Sequence, residues 1–320
     1  MINKILYAIL LALLLPVSTF AEALPPDSIV KLIVGYPAGG AVDVAARLFA
    51  PVLSKELGAT VIVENKAGVA GGLGGELVSR SAPTALILYF ANSPTMTIMP
   101  HVVKSMPFDV TKDVVPIAPI LSYTLVQAVN KDQPFNNVPE LVAYAKANPG
   151  KVTFGSAGMG SIGHLSAELF AIRTGVKLTH VPYKGNAPAM TDVIGGQISM
   201  MFDVVGGARP FINSGRIKPF AVSSRERNAI LPDVPTLREV GVENYDVGGW
   251  YALYGPAKMP ADLKLHIYEA TKSALRRDEL KNKFIDMGYD LWIGTGQTVT
   301  DRANRELALW GTVTKNMTFD

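Results

Sequence analysis

Cysteine is absent from the 320-residue chain. That excludes disulfide staples, thiolate metal sites, a cysteine nucleophile and a lipid-modified N-terminal cysteine. An excess of charge of one sign is missing too. Lys and Arg number 30 against 27 Asp and Glu, a formal net charge of +3. No basic residues gather into a stripe, which removes the usual footprint of a nucleic-acid binder. Histidine is scarce, and His101, His180 and His266 are scattered without metal-ligand spacing, so no metal and no cofactor is expected. Beyond the first 15 residues no run approaches the 18 apolar residues of a membrane-spanning helix.

What is present is ordinary globular material. Hydrophobic residues make up 48% of the chain, with 29 Gly and 22 Pro, a balance that is neither disordered nor collagen-like. The length suffices for two domains, each with its own core. Residues 1–23 read as a secretory signal peptide: Lys4 supplies a positive start, Ile5–Leu15 an apolar run too short to span a bilayer, and Pro16 a break. Cleavage is expected after Ala23, with Ala21 as a second choice. An exported chain without disulfides fits a bacterial periplasm.

The remainder alternates strands with helices. A strand over Ile29–Val34 leads through Gly35-Tyr36-Pro37 into a helical pattern over Val42–Leu57, with Gly58 as its stop and Pro51 expected to kink or break it. Strands over Thr60–Val63 and Ala85–Phe90 flank a glycine-rich stretch, Gly68–Gly75, that opens a short helix. The pattern restarts with a helix over Pro139–Ala147. Strands over Lys151–Phe154, Lys177–Val181 and Ile198–Asp203 then alternate with helices over His164–Arg173 and Pro188–Ile194. Three helices close the chain: Ala261–Arg277, Glu279–Met287 and Val299 to about Met317.

This predicts an α/β protein of two lobes, each a mostly parallel sheet flanked by helices. The apolar run Leu121–Val129 and the aromatic, glycine-rich run Val247–Tyr254 are the candidate connectors of a two-stranded hinge suited to closure on a ligand. The expected division places 24–124 and 251–320 in the first lobe and 125–250 in the second. Trp250 and Tyr251 in the second connector read equally as cleft lining or as a core pair.

Two glycine-rich loops, Gly35–Asp43 and Gly155–His164, each follow a strand and open a helix. Ligands of parallel sheets bind at this end of the strands. Outward N–H groups and a helix N-terminus of roughly +0.5 charge can hold an anion without Lys or Arg. Ser156 and Ser161 add hydroxyl donors, and Asp43 suits the first helical turn as a cap. Other chemistries fit less well. Gly158, Gly160 and Gly163 match a dinucleotide fingerprint, but no acidic residue ends the next strand. Ser161, His164 and Asp203 could form a hydrolase triad, although Met159 stands where a nucleophile elbow needs glycine.

The ordered set of motifs resembles the Bordetella-uptake-gene-type receptors, the extracytoplasmic solute receptors of tripartite tricarboxylate transporters. It includes Gly35-Tyr36-Pro37-Ala38-Gly39-Gly40 with Asp43 and Arg47, Val63-Glu64-Asn65-Lys66-Ala67-Gly68, and Pro107-Phe108-Asp109. It continues with Gly155-Ser156-Ala157-Gly158, Gly160-Ser161, His164-Leu165, Val181-Pro182-Tyr183-Lys184-Gly185, Asp203, Pro235-Thr236 and Trp250-Tyr251. The resemblance implies a two-lobed, type II-like periplasmic binding protein, not an enzyme, that closes on a small carboxylate and hands it to membrane permease subunits. It implies ligand contacts from Tyr36, Ala38, Gly39, Gly40, Ser156, Gly160 and Ser161. Tyr183 and Asp203 follow as cleft walls, and Asn92, Ser93 and Thr95 as further candidates. The chain departs from the family at Thr84-Ala85, at Ala67 and along Asn92–Met99, which leaves the far end of the ligand open. A monomer is expected. The competing readings are a secreted serine hydrolase using Ser161 and a sensor that reports ligand to a signalling partner.

Overall fold

The computed structural model describes residues 24, 25 and 27–319. The signal-peptide segment and its cleavage sites lie outside them. Strand β1 (Ile29–Val34) runs into helix α1 (Ala41–Leu57), then β2 (Thr60–Asn65), a 3-10 turn over Val69–Gly71 and α2 (Gly72–Ser79). Strand β3 (Ile87–Asn92) ends in a π-helical turn over Pro94–Ile98 and α3 (Met99–Val102), followed by the long strand β4 (Val114–Asn130). Then come α4 (Val138–Ala147), β5 (Thr153–Ser156), α5 (Ile162–Thr174), β6 (Thr179–Pro182) and α6 (Asn186–Ile194). They are followed by β7 (Met200–Val204), α7 (Val205–Asn213), β8 (Ile217–Val222) and β9 (Gly248–Pro256). The chain closes with α8 (Ala261–Leu275), α9 (Asp278–Asp286), the short β10 (Asp290–Leu291) and α10 (Gly296–Thr314).

Local chemistry explains the boundaries. Along α1 the residues Val42, Ala45, Ala46, Phe49, Val52, Leu53 and Leu57 are buried at helical spacing. Gly58 ends it in the left-handed region at φ +62°, its N–H on the Ser54 carbonyl. Pro51 does not break this helix, contrary to the sequence expectation. Its ring lies on the exposed face, clear of the buried stripe. In α5 Ser161 is the N-cap, and Gly175 at φ +66° closes the far end.

The outer strands of each half are parallel: β2-β1-β3 in the first and β6-β5-β7 in the second. Between them β4 and β9 run antiparallel to their neighbours. Strand β4 changes partner midway. Val114–Thr124 pairs with β9, whereas Leu125–Val129 pairs with β7 and Val126–Asn130 with β8. Register shifts beside Pro116 and Pro119 absorb the two prolines that cannot donate to the ladder. One hydrophobic cluster runs through both halves, including Phe49, Phe90, Tyr251, Phe154 and Phe202. Separate clusters cover the opposite face of each sheet, around Trp250 in the first half and Met201 in the second.

The hinge packing demands glycine at 249. A Cβ there would lie 1.8 Å from Tyr123 Cζ and 2.0 Å from its hydroxyl. The substitution Gly249→Ala is therefore expected to cost about 1–3 kcal/mol in urea denaturation. Combined with Tyr123→Ala, the loss should be smaller than the sum of the single losses. Unchanged stability in Gly249→Ala would show that the ring yields freely.

Candidate functional site

Strand register brings both glycine loops to one level of the molecule. Asn92 at the end of β3 pairs with Tyr251, Thr124 pairs with Gly248, and Val204 at the end of β7 pairs with Leu125. The carboxyl ends of β1, β3, β5 and β7 thus all border the crossing between the sheets.

The first loop is held by a buried carboxylate. Asp43, only 2% exposed, accepts the Gly39 N–H at 2.8 Å, Arg47 Nε at 2.9 Å and Asn65 Nδ2 at 2.8 Å. Asn65 also donates to the Tyr36 carbonyl at 3.0 Å and accepts Arg47 Nη2 at 2.9 Å. Burial works to raise the Asp43 pKa. The hydrogen bonds from Arg47, Gly39 and Asn65 outweigh it, so the group stays an anion below the usual carboxylate range. Asp43 therefore fixes the loop ahead of the helix rather than capping the first turn. Gly39 and Gly40 spend their N–H groups inside the loop, on Asp43 and on the Pro37 carbonyl. Among the described residues, the N–H groups of Ala38, Ala41 and Val42 have no protein acceptor.

Behind this loop Tyr36, Thr95 and Asn92 form one hydrogen-bonded cluster. Tyr36 Oη lies 3.0 Å from both the Ala70 carbonyl and Thr95 Oγ1, and Thr95 Oγ1 donates to Asn92 Oδ1 at 2.6 Å. Burial raises the tyrosine pKa. Val69 and Ala70 stand at φ +47° and +49°, a strained conformation for residues with a Cβ. This turn aims the Ala70 carbonyl at the two hydroxyls. Ser93 is tied elsewhere, its Oγ accepting the Trp250 N–H at 3.1 Å. Trp250 and Tyr251 are both buried core residues.

The second loop is held by two histidines. Ser156 Oγ lies 2.7 Å from His180 Nε2 and accepts the Gly158 N–H at 3.1 Å. The Gly160 N–H donates to His164 Nδ1 at 3.1 Å. The two imidazoles stack with centroids 4.0 Å apart, and Phe154 continues the stack. Burial, with repulsion from His180, lowers the His164 pKa to about 3, and burial lowers that of His180 to about 4. Both rings are neutral. Ser161 Oγ caps α5 by accepting the His164 N–H at 3.3 Å. Among the described residues, Ala157, Met159, Ile162 and Gly163 keep N–H groups without a protein acceptor.

Asp203, next to last in β7, is 5% exposed, with its Oδ1 accepting Asn186 Nδ2 and the Val204 N–H. Tyr183 turns its hydroxyl to Asp192 at 2.6 Å, and its ring packs on the second-half core with Ala189 and Ile198. A hydrolase triad is not assembled. The Ser161 hydroxyl serves the helix cap, His164 Nδ1 accepts the Gly160 N–H, and the Asp203 partners are Asn186 and Val204. The serine-hydrolase reading is withdrawn on this geometry. Asn65, Asn186, His180 and the 69–70 turn were not foreseen. Only Asn65 and Asn186 had a sequence signal, being polar residues beside the glycine motifs.

The family model described as the tripartite tricarboxylate transporter family receptor matches residues 45–319. The chain belongs to this receptor family. Protein BugT of Bordetella pertussis is 33% identical over 257 residues, 78% of each chain. A Rhodopseudomonas palustris protein solved with adipate superposes with a TM-score of 0.78 at 29% identity, covering 91% of this chain and 97% of that one. MatC from Rhodopseudomonas palustris, solved with bound malate, gives 0.76 at 26% identity over 90% and 99%. The fold of this receptor is that of the two-lobed periplasmic binding proteins, as the resemblance implied.

Asp203 carries a pH signature. Burial raises its pKa from 3.8 to about 6, with the Val204 and Asn186 hydrogen bonds only partly opposing. The folded state thus holds this proton more tightly than the unfolded chain does. Stability from the group is present in full below about pH 3.8 and is lost as pH rises through 6. The variant Asp203→Asn is expected to be more stable than the parent at pH 8, by about 2–3 kcal/mol, and nearly equal to it at pH 4. Denaturant titrations at the two pH values check this. A gain equal at both pH values would contradict it.

Proposed function

We propose that this receptor captures a small carboxylate between its lobes and delivers it to the membrane permease of a tripartite transporter. The observation that carries the proposal is a pair of helix N-termini with unclaimed N–H groups, Ala38, Ala41 and Val42 on one lobe and Ile162 and Gly163 on the other. Each is held in place by its own side chains. Aligned peptide dipoles favour an anion at such ends, and no side-chain cation is needed. Arg47, the basic residue nearest the first loop, is committed to Asp43 and Asn65. The relatives solved with adipate and malate support a carboxylate as the ligand class.

The candidate contacts divide into two groups on this reading. Ala38, the α1 start behind Gly39 and Gly40, and the α5 start behind Gly160 and Ser161 meet the carboxylate. Tyr36, Asn92, Ser93, Thr95, Ser156, Tyr183 and Asp203 shape the walls, mostly through hydroxyls already engaged with protein. On this reading 24–124 and 251–320 form the first lobe and 125–250 the second, and the partner change of β4 between Thr124 and Leu125 supports the first boundary. Export to the periplasm, removal of residues 1–23 and a monomeric state belong to the same proposal. So does a binding role without catalysis.

Proline scanning at the first helical position tests the donors. Proline is tolerated there and removes only an N–H. The variants Ala41→Pro and Ile162→Pro are expected to fold and to bind about 10–100-fold more weakly, the worth of one hydrogen bond to a charged group. The parent should show thermal stabilisation by adipate or malate of about 5 °C or more near 100 times the dissociation constant. Equal affinity in parent and proline variants would remove the backbone donors from the site. No stabilisation of refolded parent by any carboxylate would overturn the ligand class.

A further inference from the structure

Two glycine contacts join the lobes, and they differ in what they can yield. At the first, a Cβ on Gly160 would lie 3.2 Å from Val102 Cγ2 and 3.7 Å from Met99 Cε, side-chain atoms rather than backbone. At the second, Gly206 in the first turn of α7 meets the turn between α9 and β10. A Cβ on Gly206 would lie 2.2 Å from the Met287 carbonyl oxygen and 3.1 Å from Gly288 Cα. A Cβ on Gly288 would lie 2.4 Å from Gly206 Cα. Here backbone rests on backbone, and no rotamer change relieves an added atom. The missing space is about 1 Å relative to ordinary contact.

The position matters. Gly206 follows Asp203 and Val204, the latter paired with Leu125. Gly288 precedes Asp290, which is paired with Ser122. Both glycines therefore sit within a few residues of the point where β4 passes between the sheets, beside the end of β7 that faces the site. Close to a pivot, a small change in separation becomes a larger one at the binding loops.

We infer that the Gly206–Gly288 contact is the stop that sets how far the lobes close, and with it the length of carboxylate that both loops can grip together. The statement about ligand length rests on the carboxylate reading above; the stop itself does not. Gly206 is a helical position without positive φ, so alanine there favours the helix. Any effect of Gly206→Ala on lobe separation then comes from the contact. Gly288 stands at φ +82°, which asparagine tolerates better than alanine.

The chain has no cysteine, so Ile62→Cys and Ile172→Cys give one spin label on each lobe. These side chains are 43% and 58% exposed and far from the contact in the fold. Electron spin resonance then reads the closest approach of the two labels, in the protein alone and with saturating malate. Gly206→Ala and, separately, Gly288→Asn are expected to lengthen it. Gly207→Ala, whose Cβ would meet Asp203 Oδ2 at an ordinary 3.4 Å, should not. Circular dichroism confirms that each variant is folded. The same proteins are titrated with malate and with the longer adipate. Both variants should lose at least about tenfold affinity for malate and less for adipate. A label distance unchanged in both variants overturns the stop. A lengthened distance with affinities lost equally overturns the length statement alone. If neither acid binds the parent, malate and adipate are excluded as its ligands while the distances still decide the stop.

Discussion

A single strand belongs to two sheets. Because β4 pairs with β9 over its first part and with β7 and β8 over its second, the halves cannot be placed independently. The ladder that fixes Thr124 against Gly248 also fixes Leu125, one residue on, against Val204. Everything at the carboxyl ends of β1, β3, β5 and β7 inherits its place from that continuity. The bulges at Pro116 and Pro119 lie well inside the first half, away from the crossing. Flexing is left to the few residues where the partner changes, as a hinge requires.

Both glycine loops use one device. In each, a glycine N–H is drawn inward by the side chain four residues on, Gly39 by Asp43 and Gly160 by His164. The acceptor sits in the first turn of the helix that the loop opens. Satisfying one donor there leaves the next ones, at the helix start itself, turned outward. An anionic acceptor needs compensation, and Arg47 with Asn65 supplies it. A neutral imidazole needs none, and burial keeps it neutral. The two lobes thus reach the same geometry with different charge states.

Much of this was legible in the sequence. The strand–loop–helix order and the place of the two glycine loops at the carboxyl ends of their strands followed from periodicity and turn residues. The repeated spacing Gly39/Asp43 and Gly160/His164 was visible too, yet it reads as an N–H sink only once the backbone direction is known. That is why glycines were expected to donate to ligand where the structure turns them inward. His180 was out of reach, being 24 residues from Ser156 and joined to it across parallel strands. Helix α7 was hidden by Gly206, Gly207 and Pro210, poor helix formers by local preference. Its residues Val205 and Ala208 are held by burial instead. Pro51 is carried inside α1 without breaking it, on the exposed face.

The electrostatic design follows from these placements. Around the loops the formal charges are already answered: Asp43 by Arg47, and the histidines by remaining neutral. What remains is the field of peptide dipoles at two helix starts. Such a field needs no reorganisation when an anion arrives, so affinity depends on how closely the second set of dipoles can approach. Asp203 works against it, since a buried carboxyl beside an anion is tolerable mainly with its proton. Burial raises its pKa in the free protein, and on the proposed reading a bound carboxylate nearby would raise it further. Ligand and proton then favour one another, and binding should tighten as the medium becomes more acid through the range where Asp203 titrates.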